Sequence, residues 1–237
     1  MTGDNALFSD ILIRSSGEKM TYPVPTYEAL KNILHSIYWK PTLIWVVDSA
    51  RIMKRIQTER KNEMVLNYTG KGESRRDRVF VTYLKDVTYQ VRAHFEWNMN
   101  RPALEADRKD GKHYNIAKRM IERGGRRDVF LGKRECQAYV EPCVFGEGAG
   151  FYDNSGDIPL GVMLHGITYA DEAILQEDMG MDTVRLWMPV MKNGVIDFIR
   201  PEECVSKRHI RMGKIKPFGE EYGNFTGCDE AEKEVAQ

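Results

Sequence analysis

The sequence is poor in the features that would staple a fold or hold a metal. Its four cysteines, Cys136, Cys143, Cys204 and Cys228, form no Cys-x-x-Cys pair and have no histidine at zinc-finger spacing. Neither a disulfide framework nor a zinc site is expected, and buried free thiols are the plain reading. Carboxylates do not accompany the histidines at ligand spacing, so no metal and no cofactor is called for. No apolar run approaches the roughly 18 residues that cross a bilayer. The start Met-Thr-Gly-Asp-Asn has neither a basic nor an apolar leader region, and a cytoplasmic chain without a membrane partner is expected. Net charge is also missing, since 35 Lys and Arg balance 35 Asp and Glu. Internal repeats and low-complexity segments are absent.

What is present is the composition of a soluble globular protein, with 42% hydrophobic and 30% charged residues in 237. A chain of that length forms one large domain or two small ones and buries roughly 70 to 75% of its unfolded surface. The charges are segregated along it. Residues 112–134 carry eight Lys or Arg against Glu122 and Asp128, whereas 220–234 is mostly acidic. A charge run often means only a solvated face. Several basic runs, at 51–61, 71–78, 112–134 and 207–216, suit a polyanion partner better than the net charge suggests.

Periodicity places the elements. Thr26 is a plausible N-cap, and Tyr27, Leu30, Ile33, Leu34 and Ile37 recur at helical spacing until Pro41, which predicts a helix over about 27–38. The uninterrupted apolar run Leu43-Ile44-Trp45-Val46-Val47 suits a strand buried on both faces. Val87, Tyr89, Val91, Ala93, Phe95 and Trp97 alternate with polar residues, the pattern of a strand with one dry face. A second helix is expected over about 112–123, with His113, Ile116, Ala117 and Met120 on one stripe and Gly124 as its stop. Residues 127–140 then read as a strand. The order strand, helix, strand, strand, helix, strand is the split ferredoxin-like unit, although its first strand is poorly represented before Ala6-Leu7-Phe8.

Glycine and acidic residues cluster over 146–156, which places a boundary there: residues 1–145 as the domain that carries the site, residues 146–237 as a small antiparallel β domain. In the second part Val184, Leu186, Met188 and Val190 alternate up to Asn193-Gly194, and Val195-Ile196-Asp197-Phe198 resumes, a hairpin signal. From about Cys204 the polar tail has too little apolar surface for order to be expected.

Chemistry concentrates near the second helix. Lys112-His113 puts an ammonium and an imidazole at its start, and Tyr38 lies where the first helix runs out. Such groups suffice to cut RNA: a base takes the 2′-hydroxyl proton, that oxygen attacks phosphorus, and a cation steadies the phosphorane. Pattern alone favours plainer roles, a core histidine for His113 and a core aromatic for Tyr38. His94, on the wet face beside Arg92, is a reserve candidate. The stretch Gly124-Gly125-Arg126-Arg127-Asp128-Val129-Phe130-Leu131-Gly132-Lys133-Arg134 combines close backbone approach with four cations, Arg126, Arg127, Lys133 and Arg134, that suit successive phosphates. A helix stop followed by a solvated turn fits it equally well.

The chain resembles a known family over roughly residues 3–201. The resemblance rests on Ala6-Leu7-Phe8, Tyr22-Pro23-Val24-Pro25-Thr26, Ser36-Ile37-Tyr38-Trp39-Lys40-Pro41-Thr42, Tyr83-Leu84-Lys85-Asp86-Val87, Gly111-Lys112-His113-Tyr114, the glycine-arginine stretch and Val190-Met191-Lys192-Asn193-Gly194. The family is the CRISPR-associated RAMP superfamily, subtype I-C or Dvulg, whose member processes precursor CRISPR RNA. The resemblance implies an α+β fold with a ferredoxin-like N-terminal domain and a β extension. It implies metal-independent cleavage at the base of the repeat hairpin, with the catalytic tyrosine falling on Tyr38 and the Lys-His pair on Lys112 and His113. It also implies that the protein stays on the 5′ handle as a subunit of the interference complex. The rival is a non-catalytic RNA-binding subunit that caps the handle. Chains of the family begin with several more residues ahead of the glycine matching Gly3, so either a start upstream of Met1 or a sheet short of an edge strand is expected.

Overall fold

The structure, a computed structural model, describes residues 1–11, 18–68, 74–213, 215 and 218. In chain order its strands and helices are β1 (Thr2–Ala6), β2 (Lys19–Met20), α1 (Tyr27–Ile37), β3 (Leu43–Ile52), β4 (Thr58–Tyr68) and β5 (Ser74–Trp97). They continue with α2 (Asp110–Glu122), β6 (Val129–Phe130), β7 (Gln137–Tyr139), β8 (Asp157–Pro159), β9 (Met163–Thr168), β10 (Met181–Trp187), β11 (Val190–Lys192), β12 (Val195–Asp197) and β13 (Ser206–Met212). Among the described residues the fold is mostly β, with two α-helices, and falls in the α+β class.

Both helices form for local reasons. The Thr26 hydroxyl accepts from the Ala29 amide at 3.2 Å, which caps α1, and the apolar stripe from Tyr27 to Ile37 is buried. Tyr38 then turns extended, at φ −156° and ψ 127°, ahead of Pro41. In α2 the buried stripe is His113, Ile116, Ala117 and Met120, and Gly124 leaves the helix at φ +84°.

Among the described residues ten strands share one sheet, whose main path is β6-β7-β1-β5-β3-β12-β11-β8. Strand β5 is its spine. Its first part pairs with β4, its middle with β1, and its last nine residues with β3. Asp86, in the left-handed region at φ +50°, marks the change of partner, a conformation Asp tolerates better than most residues. The alternation over 87–97 marks only the last part of this long strand.

Several expectations need correcting. The first strand is present and internal, with β5 on one side and β7 on the other. Residues 127–140 form two short paired strands, β6 and β7, not one. The reason is Gly132, whose φ is +87° and whose Cβ, if it had one, would lie 2.0 Å from the Leu7 carbonyl oxygen; the chain must turn there against the end of β1. The Asn193-Gly194 hairpin forms with φ +46° and +80°, the signs a type I′ turn requires. Its strand β12, however, pairs with β3 in the large sheet, while β10 joins β9 and β13 in a separate three-stranded sheet. Strands of the later part of the chain therefore serve both sheets. β13 shows that order continues past Cys204; the rest of the expected polar tail lies outside the described residues, apart from 213, 215 and 218. Cys136 and Cys204 are buried free thiols, but Cys143 is exposed, and Cys228 lies outside the described residues. No helix among the described residues is long and apolar enough to cross a membrane.

Candidate active site

The two helices bring Tyr38 and His113 together. Trp45 Nε1 donates to the Tyr38 carbonyl at 2.8 Å and fixes the turn out of α1. One turn into α2, His113 points inward with its apolar stripe and is fully buried. Its Nδ1 lies 2.8 Å from the Tyr38 hydroxyl, and its Nε2 lies 2.6 Å from the main-chain oxygen of Asp107. A carbonyl oxygen only accepts, so Nε2 carries a hydrogen, and in the neutral ring Nδ1 is left to accept from the Tyr38 O–H. The edge of the Trp97 ring closes the other side, with centroids 5.5 Å apart.

Lys112 joins the same group through Asp107. Its ammonium lies 2.9 Å from Asp107 Oδ1, while the Thr42 hydroxyl donates to Oδ2 at 2.8 Å. Burial works against the charge of the Asp107 carboxyl. The hydrogen bonds from Lys112 and Thr42 and the nearby Lys40 cation outweigh burial and hold the group below the usual carboxylate range. The Lys112 side chain keeps 33% of its surface exposed, whereas Tyr38 keeps 4%. Of the three, the lysine faces solvent.

The four cations of the glycine-rich stretch lie along the outer face of α1. The amides of Arg126 and Arg127 donate to the Ile37 and Ser36 carbonyls at 3.1 and 3.0 Å, so this segment ties off the end of α1. Both arginines line a cleft with Asn32, His35, Ser36 and Trp39, the residue that follows Tyr38. Lys133 and Arg134 line a second cleft that shares Asn32 and Ser36. Arg127 and Arg134 are exposed, and Arg126 is half-buried. Lys133 is engaged within the protein: its ammonium lies 2.6 Å from Glu63 Oε2 and 3.2 Å from the Tyr83 hydroxyl. Burial disfavours this cation, but those partners raise its affinity for the proton well above that of an ordinary lysine. His94 stands apart, 3.0 Å from Asp48 on the sheet.

Sequence reasoning did not reach Asp107 or Thr42. Asp107 ends a short 3₁₀ turn, Pro102–Asp107, that precedes α2. The only signal was an acidic residue six positions ahead of His113, a spacing with no helical or strand meaning.

Residues 1–199 match the family model described as CRISPR-associated protein (Cas_Cas5), and this mostly β chain with its enclosed Tyr-His pair belongs to that family. Within it the chain falls in the Cas5d group, the Cas5 of subtype I-C. A protein of Mannheimia succiniciproducens named CRISPR pre-crRNA endoribonuclease Cas5d is 26% identical over 207 residues, covering 76% of this chain and 85% of the relative. A protein of the same name from Thermus thermophilus is 26% identical over 162 residues, covering 65% and 66%. Two solved structures align over 87% of this chain and 93% of theirs. One, titled as a CRISPR-associated protein, has TM-score 0.69 at 33% identity; the other, the functionally uncharacterized SMU1763c of Streptococcus mutans, has 0.70 at 34%.

Proposed function

We propose that this protein is a CRISPR pre-crRNA endoribonuclease: it binds the repeat hairpin of the precursor, cuts it without a metal, and stays on the 5′ handle as a subunit of the subtype I-C interference complex. The observation that carries the reading is the 2.8 Å contact between the Tyr38 hydroxyl and His113 Nδ1, coupled through Asp107 to Lys112. The names of the two curated relatives support the same activity.

His113 sits behind Tyr38, so the phenol is the group that meets the ribose. As Tyr38 passes its proton to His113 Nδ1, its oxygen accepts the proton of the 2′-hydroxyl. The freed O2′ attacks the adjacent phosphorus and the bond to the 5′ oxygen breaks as that oxygen takes a proton from the Lys112 ammonium, leaving a cyclic phosphate upstream and a 5′-hydroxyl product. Lys112 supplies positive charge to the phosphorane. Tyr38 is buried in the RNA-free protein, and productive docking uncovers it. Arg126, Arg127, Lys133 and Arg134 bind the RNA backbone along α1, with Lys133 exchanging Glu63 for phosphate.

The fold reading follows the same lines. Strands β1, β3, β5 and β7 with α1 and α2 run in ferredoxin-like sequence, and the spatial order β7-β1-β5-β3 supports that unit as an N-terminal domain over about 1–145. The described strands after residue 146 extend it, with β8, β11 and β12 continuing the same sheet beyond β3, and with β9, β10 and β13 forming the second sheet.

One observation favours the second reading, a non-catalytic subunit capping the handle: His113 is fully buried with both ring nitrogens already bonded. Incubation with the host's own repeat RNA, and with the same RNA lacking the 2′-hydroxyl at the cut, separates the two. Cleavage of the first and not the second is expected. Binding without cleavage of either would establish the capping subunit, and cleavage of both would point to an activated water.

A further inference from the structure

We infer that Asp107 is a positioning residue of this site, holding His113 in the tautomer that faces Tyr38 and supplying the negative charge that balances the imidazolium. The inference rests on the endoribonuclease reading for its kinetic consequence but not for its structural one. A single residue makes three contacts. Its main-chain oxygen accepts from His113 Nε2 at 2.6 Å, its Oδ1 holds the Lys112 ammonium at 2.9 Å, and its Oδ2 accepts from Thr42 at 2.8 Å. The same Oδ2 lies 3.5 Å from His113 Nε2.

These contacts divide the work. With Nε2–H committed to the carbonyl, rotation of the ring or a change of tautomer would break a buried hydrogen bond, so the Nδ1 lone pair stays aimed at the Tyr38 hydroxyl. When Nδ1 takes the proton, the new cation is fully buried. A buried cation with no counter-charge is costly, and the carboxylate beside Nε2 meets that need. The charged and titratable groups around the ring are Tyr38 and Lys40 from the end of α1, Asp107 from the turn before α2 and Lys112 on α2; β5 contributes only the uncharged Trp97 ring. Among these described residues Asp107 is the sole anion. The logic is that of an acid–base pair oriented by a third group, here with the main chain and side chain of that group sharing the task.

The test uses the full-length protein with Asp107→Asn, which preserves shape and the main-chain carbonyl but removes the charge, and Asp107→Glu, which restores charge at altered reach. Nuclear magnetic resonance of the His113 ring nitrogens as a function of pH reads the structural claim without RNA. Loss of the carboxylate charge is expected to make proton uptake by the ring less favourable in Asp107→Asn, with recovery toward the parent in Asp107→Glu. Single-turnover cleavage of repeat RNA reads the kinetic claim: the rate at neutral pH falls about 10- to 100-fold, RNA affinity changes less than threefold, and the acid limb of the pH–rate profile moves to lower pH. Should Asp107→Asn prove poorly folded, Thr42→Val weakens the same carboxylate's anchorage and should move both readouts in the same direction by less. Proton uptake at the parent's pH in both variants overturns the inference. If the parent itself does not cleave, the endoribonuclease reading fails while the resonance titration still decides the role of Asp107.

Discussion

Tyr38 and His113 show how two residues with ordinary core patterns become a hydrogen-bonded pair. His113 sits on the buried stripe of α2 and Tyr38 is buried just past the end of α1, and each would be assigned to packing from the sequence pattern alone. Their hydrogen bond spans 75 positions of chain. Tyr38→Phe removes one oxygen and keeps the ring, so it isolates that bond. Cleavage of repeat RNA should fall by about 10²- to 10⁴-fold, the range of a general acid–base contribution. RNA affinity should stay within a factor of a few, because many phosphate contacts supply it. The bare Nδ1 left behind costs about 1 to 3 kcal/mol of stability, readable from urea unfolding. Unimpaired cleavage by this variant would remove Tyr38 from the mechanism. Lys133 teaches the reverse lesson: as a sequence it is one more cation in a basic run, but its partners on β4 and β5 make it an ion pair first.

At the scale of elements, β13 carries few apolar residues and most of its side chains are exposed. It is held by its ladder to β10 and by a charge cluster beneath it. Asp178, fully buried, takes Arg185 Nη2 at 2.6 Å, His209 Nε2 at 2.8 Å and Lys207 Nζ at 3.3 Å. Burial alone would push its carboxyl up, but these donors together hold it below the carboxylate range. Arg185 is itself almost wholly buried. Asp178→Ala leaves that guanidinium without its counter-charge and should cost about 3 to 5 kcal/mol, with faster amide exchange in β13. A loss below about 1 kcal/mol in urea unfolding would show that the strand is held by its backbone ladder alone. Helix limits, the Asn193-Gly194 hairpin and the strand after α1 were legible in the sequence. β13 was not, because its stabilising partners lie on β10 and in the turn before it.

The whole molecule should lose stability on mild acidification, and one buried histidine gives the sign. His165 is fully buried, stacked on Tyr27 at 4.4 Å, and its Nε2 donates to the Ile199 carbonyl at 2.8 Å. Burial, ahead of all other causes, pushes its pKa down to about 4. In the unfolded chain the ring titrates near 6.5, so between about pH 6.5 and pH 4 the unfolded state binds the extra proton. Stability therefore falls as pH drops through that window, by about 1.4 kcal/mol per unit at its steepest. The depressed carboxyls Asp107 and Asp178 lose their contributions only at lower pH. Urea midpoints measured from pH 7 to pH 4.5 should slope downward, and the slope should flatten in His165→Gln. An equal slope in the variant would assign the acid sensitivity elsewhere.

By itself the sequence determined the helices, the turns and the basic stretch after α2, since caps, periodicity and glycine signals act between neighbours along the chain; the catalytic candidacy of Tyr38, Lys112 and His113 came from the family resemblance, where pattern alone favoured core roles for Tyr38 and His113. Only the tertiary structure decided that β1 lies inside the sheet, that the β11–β12 hairpin pairs with β3, and that Asp107 links Lys112 to the Tyr38–His113 pair. Sheet order is set by which apolar faces can be buried together, and hydrogen bonds to a main-chain oxygen depend on where a turn places it; neither is encoded in the identity of any one residue.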